Sequence, residues 1–264
     1  MVRRLIARFC DGPIWGALRR WAGSWGHTAV DLLFPPRCAF CDADLPDMHD
    51  SLLLCPPCRD KLATRQWIGC RRCGSKTAAG FLSDGCPRCQ QMPRFLDAVV
   101  PLGQYQGDLR RAILLMKRPA GDFLSAAMGQ LLVSARAEDL AALEPDLVAP
   151  VPMHWLRLLW RGTNSPEILA RAVAARLDSP LEQGLLTRCR NTLPQSRLKP
   201  AERYRNLRGA FRVQKGCALS GARVLLVDDI LTTGATCGEA ARVLKQAGAS
   251  YVAAAILGRA EGDT

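Results

Sequence analysis

From about residue 95 onward, four short runs are apolar without the polar alternation of a one-sided strand. They are AVVPLGQY (98–105), DLVAPVPM (146–153), ARVLLVDD (222–229) and SYVAAAILG (250–258). Around them, LRRAILLMKR (109–118), FLSAAMGQLLVSARA (123–137), SPEILARAVAARL (165–177) and CGEAARVLKQAG (237–248) carry apolar residues at helical spacing. In the last of these, Ala240, Val243, Leu244 and Ala247 form one stripe. Strands apolar on both faces and separated by helices predict an α/β domain with a parallel sheet, over roughly 95–260. Ligands in such folds bind beyond the carboxyl ends of the strands.

The third run ends in VLLVDDILTTGAT (224–236), where two carboxylates stand at the mouth of a greasy strand beside a loop without bulk. Thr236 and Glu239 have capping-box spacing, which predicts a helix capped by Thr236, running to about Gln246 and stopped by Gly248. A helix that starts straight after a strand presents unpaired amides and a positive dipole end, a phosphate site in outline. Gly234 and Ala235 let an anion approach the backbone, and Thr232, Thr233 and Thr236 add hydroxyl donors. Taken alone, the loop fits a tight turn with a capping threonine equally well. Asp228 and Asp229 decide between the two, because acids beside a phosphate cradle need another task. Sugar hydroxyls and hydrated Mg²⁺ fit them, and a phosphate beside a diol describes ribose 5-phosphate.

Ahead of this domain the texture changes. Cys38/Cys41, Cys55/Cys58, Cys70/Cys73 and Cys86/Cys89 form four Cys-x-x-Cys pairs, separated by 13 and 12 residues within each successive couple. Two such knuckles complete a tetrahedral thiolate site, so eight cysteines predict two Zn²⁺ ions. The segment has little apolar content beyond Leu52 to Leu54 and Trp67–Ile68, and a metal staple replaces the missing core. Disulfides need an oxidising compartment, and a redox dithiol uses one pair, not four in series. Sites of four thiolates leave no open position, so the zinc is expected to be structural. Three pairings of the knuckles are possible, with sequence neighbours the simplest. Cys10, Cys189, Cys217 and Cys237 stand apart as ordinary thiols.

Charge modifies this picture only in degree. The formal net charge of +12 over 264 residues suggests a polyanionic partner, and two tetrathiolate zinc sites reduce it to about +8. No run of about 18 apolar residues is present, so no spanning helix is expected. Residues 1–31 do not read as a signal peptide, because Arg8, Asp11, Arg19 and Arg20 interrupt them. A cytoplasmic protein is therefore expected. Within 1–31, Val2, Leu5, Ile6 and Phe9 share one face, and Ile14, Leu18, Trp21 and Trp25 another. Such an amphipathic extension fits peripheral membrane contact and, more commonly, a short helix packed on the same protein. Residues 188–215 carry nine Lys or Arg against one acid, Glu202. A loop closing over pyrophosphate, a track for single-stranded DNA and a solvated basic surface all fit that charge. Aromatic platforms for bases are scarce there, with only Tyr204 and Phe211. His27, His49 and His154 are isolated and suggest no nucleophile–base pair.

The stretch Val224 to Thr236 resembles the phosphoribosyl pyrophosphate (PRPP) motif of type I phosphoribosyltransferases. That resemblance implies that Asp228 and Asp229 hold the ribose hydroxyls and that Thr232, Thr233, Gly234, Ala235 and Thr236 hold the 5-phosphate. Four Cys-x-x-Cys pairs introduced by LLFPPRC (32–38) extend the resemblance to the ComF family of competence-associated proteins. So do 105–124 with its Lys117, 151–164 and 193–211. The implied architecture is a double zinc ribbon over 32–92 followed by a phosphoribosyltransferase-like domain over 95–260. One departure stands out. Where relatives have Arg-Gly-Phe-Asn-Gln, this chain has Arg161-Gly162-Thr163-Asn164-Ser165, and Ser165-Pro166 reads as a helix cap with proline at the first position.

Two functions follow as expectations. The first is Mg²⁺-assisted transfer of a phosphoribosyl group from PRPP to a nitrogen acceptor, with Asp228, Asp229 and Arg161 as catalytic groups. The second is a zinc-ribbon accessory of DNA uptake that binds single-stranded DNA and competence proteins, its nucleotide pocket non-catalytic.

Overall fold

The computed structural model describes residues 36–45, 52–64, 66–77, 86–91, 95–161, 164–193, 198–214, 216–217 and 219–261. The amphipathic extension 1–31, and with it Cys10 and His27, lies outside them, as does His49. The chain divides into two compact units, residues 1–55 and 56–264.

In the first unit the chain turns back on itself at Cys38. The Asp42 amide donates to the Cys38 carbonyl and the Cys38 amide to the Ala43 carbonyl, at 2.9 and 2.8 Å. Asp42 takes a left-handed conformation (φ 63°) to close that turn. The Ala39 amide donates to the Leu53 carbonyl, and Leu54 is fully buried, joined by the buried Cys38 and Leu45 among the described residues.

The second unit starts with helix α1 (Pro56–Leu62) and a 3-10 turn at Pro87–Gln91. The α/β body follows in the order β1 (Ala98–Gln104), α2 (Gly107–Met116), α3 (Asp122–Ala135), α4 (Ala137–Ala141), β2 (Leu147–Pro150), α5 (Trp155–Arg161) and α6 (Ser165–Leu177). It ends with β3 (Leu186–Arg188), α7 (Pro200–Leu207), β4 (Phe211–Val213), β5 (Arg223–Leu231), α8 (Ala235–Gln246) and β6 (Tyr251–Arg259). Strands β1, β6, β5 and β2 form one sheet in that order, with every pairing parallel. The four apolar runs are thus the four sheet strands, as expected of strands buried on both sides.

Alternation within the central strands divides the core. Val224, Leu226, Val252, Ala254 and Ile256 pack with Ala240, Ala241 and Leu244 of α8 on one face. Leu225, Val227, Ala253 and Ala255 point to the other face, and all are buried. There α3 and α6 lie against each other at Gly129, where an added Cβ would stand 3.0 Å from Ala172. Each fully buried aliphatic side chain contributes about 1.5–3 kcal/mol relative to exposure. Gly248, with φ +107°, turns the chain out of α8 as its position after the helix predicts.

Outside the sheet, β3 and β4 form an antiparallel pair that brackets α7. The basic stretch from 188 is therefore a folded flap over much of its length. The Tyr204 hydroxyl donates to the Thr233 carbonyl, and the Gly209 amide donates to Glu239 Oε1 at 2.7 Å. Two bonds thus tie the flap to the loop and helix that follow β5.

Candidate functional site

The sheet register brings Leu231 opposite Arg259 and Arg259 opposite Gln104, so the carboxyl ends of three strands meet at one edge. An open cavity of about 610 Å³ lies there. Asp228, Asp229, Thr232 and Thr236 line it from β5, its loop and α8. Lys117 and Tyr105 line it from the start of the domain, Asn164 and Ser165 from the start of α6, and Arg188 and Arg203 from the flap.

The two acids have different surroundings, as adjacent strand residues should. Asp228 is 8% exposed. Its Oδ1 accepts the Asp229 amide at 2.8 Å, and its Oδ2 faces the buried Cys237 thiol at 3.7 Å. Burial, followed by the neighbouring Asp229 charge, raises the Asp228 carboxyl to about 7. Asp229 Oδ2 instead lies 2.7 Å from Lys117 Nζ. Cys237, ordinary in sequence, thus sits directly under the site, where burial and the Asp228 charge push its thiol well above the usual range.

The loop 232–234 is held from behind. Arg259 Nη1 donates to the Leu231 carbonyl at 3.0 Å and to the Thr232 carbonyl, while Tyr204 takes the Thr233 carbonyl. In a trans peptide the N–H opposes the C=O of the same plane. Three consecutive carbonyls drawn backward therefore send the amides of Thr232, Thr233 and Gly234 the opposite way. Helix α8 adds its own first amides, because its N-cap is Gly234 (φ 79°) and no side chain caps it. The Thr233 hydroxyl makes only a long contact, 3.4 Å, with the Ala235 amide.

The helix begins at Ala235 behind Gly234, not behind Thr236, because glycine enters the left-handed turn that leaves β5 without the cost of a Cβ. Glu239 does not reach back to a cap. Arg242 takes both its oxygens at 2.7 and 2.8 Å, and the Gly209 amide adds a third bond, so charged partners outcompete a neutral one. Similarly, Asn164 and not Ser165 is the N-cap of α6. Ser165 is already helical, buried, with its hydroxyl turned to the Met116 carbonyl at 3.4 Å.

Other predicted residues divide as follows. Thr233, Gly234 and Ala235 form the turn behind the cavity wall and do not line it. Arg161 closes α5, its side chain outside the described part, and Thr163 lies outside as well. His154 accepts the Leu156 amide at Nδ1. Tyr105, Lys117 and Tyr204, which lie in stretches that carried the family resemblance, and Arg259, which had no local signal, complete the site. Only the 105–124 stretch marked Lys117 in advance.

The cysteines gather in sequence order. The sulfurs of Cys38, Cys41, Cys55 and Cys58 lie within 4.8 Å of one another, as do those of Cys70, Cys73, Cys86 and Cys89. Closest approaches are 3.6 Å for Cys41–Cys55 and 3.4 Å for both Cys70–Cys89 and Cys73–Cys86. A tetrahedral zinc with bonds near 2.3 Å holds its sulfurs about 3.8 Å apart, which these groups fit. Acidity is divided within the second group. Burial raises Cys70, but amides of Cys73 and Arg72 outweigh it and leave the thiol at about 7. Cys89 is pushed far up by burial and by its sulfur neighbours. A dication at the centre removes that conflict, and the groups are two zinc-binding sites of four cysteines each.

Comparison with known proteins agrees with both halves. Residues 29–91 match the double zinc ribbon domain family, and residues 167–263 match the phosphoribosyl transferase domain family. The DNA utilization protein YhgH of Salmonella typhi is 32% identical over 227 residues, covering 84% of this chain and 96% of that protein. Competence protein F of Haemophilus influenzae is 28% identical over 223 residues, covering 82% and 93%. Adenine phosphoribosyltransferase of Mycobacterium tuberculosis is 36% identical over 89 residues, 32% of this chain and 41% of that protein. With its ribbon, its parallel sheet and relatives matched over nearly their full length, the chain belongs to the ComF family of competence-associated, phosphoribosyltransferase-like proteins.

Proposed function

We propose that the cavity binds PRPP with Mg²⁺ and that the protein transfers the phosphoribosyl group to a nitrogen acceptor. One juxtaposition carries this reading: Thr232 and Thr236, at the two ends of a loop held from behind by Arg259 and Tyr204, line one cavity together with Asp228 and Asp229. The amides and the head of α8 receive the 5-phosphate. The two carboxylates receive the ribose hydroxyls. Lys117, Arg188 and Arg203 face the same space with positive charge, where a leaving pyrophosphate needs it. The match to the phosphoribosyl transferase domain family, and to a relative named for adenine phosphoribosyl transfer, supports the substrate class.

The donor set fits Mg²⁺: two adjacent hard-oxygen carboxylates, with Lys117 paired to Asp229 and the remaining charge pressing on Asp228. When bound, Mg²⁺ supplies charge neutralisation for the pyrophosphate. The chain's own task is to separate charge. Carboxylates stand under the ribose, where positive character develops at C1, and basic groups stand under the leaving group. Such a reaction needs no histidine or cysteine to move a proton, in keeping with His154 being bound to backbone and Cys237 being buried.

A second reading has its own support. The relatives are named for competence and DNA utilization, and the flap is strongly basic. In that reading the protein binds single-stranded DNA and the pocket is regulatory. One pair of assays separates the two. Mg-PRPP with a panel of bases releases pyrophosphate if the first holds, and Asp229→Asn abolishes that release. If the second holds, no base elicits release, and DNA affinity falls steeply with log salt whatever residue 229 is.

A further inference from the structure

We propose that Arg259 couples the second zinc site to the phosphate loop, so that metal at Cys70, Cys73, Cys86 and Cys89 sets the direction of the loop amides. This inference rests on the reading of the loop as a phosphate site and adds how that site is held. Arg259 is 5% exposed, at the carboxyl end of the sheet's second strand. Its Nε donates to the carbonyl of Cys73 at 2.8 Å, and its Nη1 donates to the carbonyls of Leu231, Thr232 and Ala260. One rigid, planar cation thus joins the backbone of a zinc ligand to the backbone of the anion loop. No side chain shorter or less branched spans both.

Four further contacts make the knuckle a fixed anchor. The Val99 amide of the edge strand donates to the Arg71 carbonyl at 2.9 Å, and the Lys76 amide donates to Glu261 Oε1 at 3.0 Å. Arg88, beside Cys89, pairs with the same Glu261 at 3.1 Å. Gly74 meets Val99 so closely that an added Cβ would stand 2.8 Å from Cγ1. The knuckle therefore bears on the sheet at the place where Arg259 leaves it. With the metal bound, the Cys73 carbonyl has one orientation. When the knuckle loosens, the guanidinium loses one of its ties and is freer to turn from the Thr232 carbonyl, whose peptide plane carries the Thr233 amide, while the Leu231 carbonyl keeps the Ala260 amide at 2.9 Å. Arg259 is accordingly a positioning residue, remote from reacting atoms.

Two measurements test the coupling. In calorimetry with ribose 5-phosphate, Arg259→Met and Arg259→Lys keep two zinc ions per chain. The methionine variant binds about tenfold more weakly than wild type, and the lysine variant binds at an intermediate level. In ligand-free wild type, chelation of zinc moves the amide resonances of Thr232 and Thr233. In Arg259→Met those resonances are displaced already, and chelation moves them no further. Unchanged affinity in both variants overturns the proposal, and so do loop resonances indifferent to chelation in wild type. Should wild type bind no ribose 5-phosphate at all, the phosphate reading fails, while the resonances still decide the Arg259 link.

Discussion

Lys117 Nζ lies 2.7 Å from Asp229 Oδ2 across the mouth of the cavity, joining the end of α2 to the end of β5. These side chains are 24% and 16% exposed, so the pair is screened less than one on the surface. It also satisfies the acid while no ligand is present. Removing either partner leaves a partly desolvated charge. Lys117→Met is expected to destabilise the protein by about 1–2 kcal/mol, and Asp229→Asn to suppress most of that loss when the two are combined. A double-mutant cycle in denaturant measures the coupling. Strict additivity would show that the contact contributes nothing.

Asp228 is the acid whose protonation should govern stability. In the unfolded chain it ionises near pH 4, and in the folded chain only at about 7, because of burial and Asp229. Between those values the native state binds more protons, so stability falls as pH rises, with the full cost above pH 7 and little at pH 4. Asp228→Asn cannot ionise. It should raise the melting temperature at pH 8, by a gain on the order of a few kcal/mol, and change it little at pH 4. Calorimetric melts at both values check this. Equal gains at both would mean that charge burial is not the cause.

Glu239 holds the flap. Its bonds to the Gly209 amide and to Arg242 keep the carboxyl below the usual range despite its partial burial. Glu239→Ala should cost about 1–2 kcal/mol and increase amide exchange at Gly209 and through α7, with α8 unaffected. Exchange rising first at the start of α8 would restore the capping box that the sequence suggested.

Zinc stoichiometry tests the ribbon. The protein as isolated should carry two ions per chain, and Cys41→Ser and Cys86→Ser should each lower that toward one. Atomic emission measures it directly. Loss of both ions from either single variant would mean that the two groups are one cluster.

Much of this was legible in the sequence. The four sheet strands carried apolar residues on both faces, a signal independent of context, and the cysteine knuckles carried their own spacing. Helix α8 was visible by its stripe, but its first residue was not. Thr236 and Glu239 had the right letters, but Glu239 was taken by Arg242, three residues on, and by the Gly209 amide, 30 residues away in sequence. The flap was hidden for a similar reason. Strands of three residues are too short to show periodicity, and the eight-residue helix between them is so polar that its charge concealed its fold. Arg259 ends an apolar strand and carries no motif. Its role depends on Cys73, 186 residues earlier, which only folding brings near.

The central claim is that the acids of β5 and the amides of its loop grip one ligand. Calorimetric titration of Mg-PRPP into wild type and into Asp228→Asn addresses it most directly. Saturable binding at one site per chain in wild type, lost in the variant at pH 8, is the predicted result. Absence of heat with both proteins, or identical isotherms from both, would contradict it.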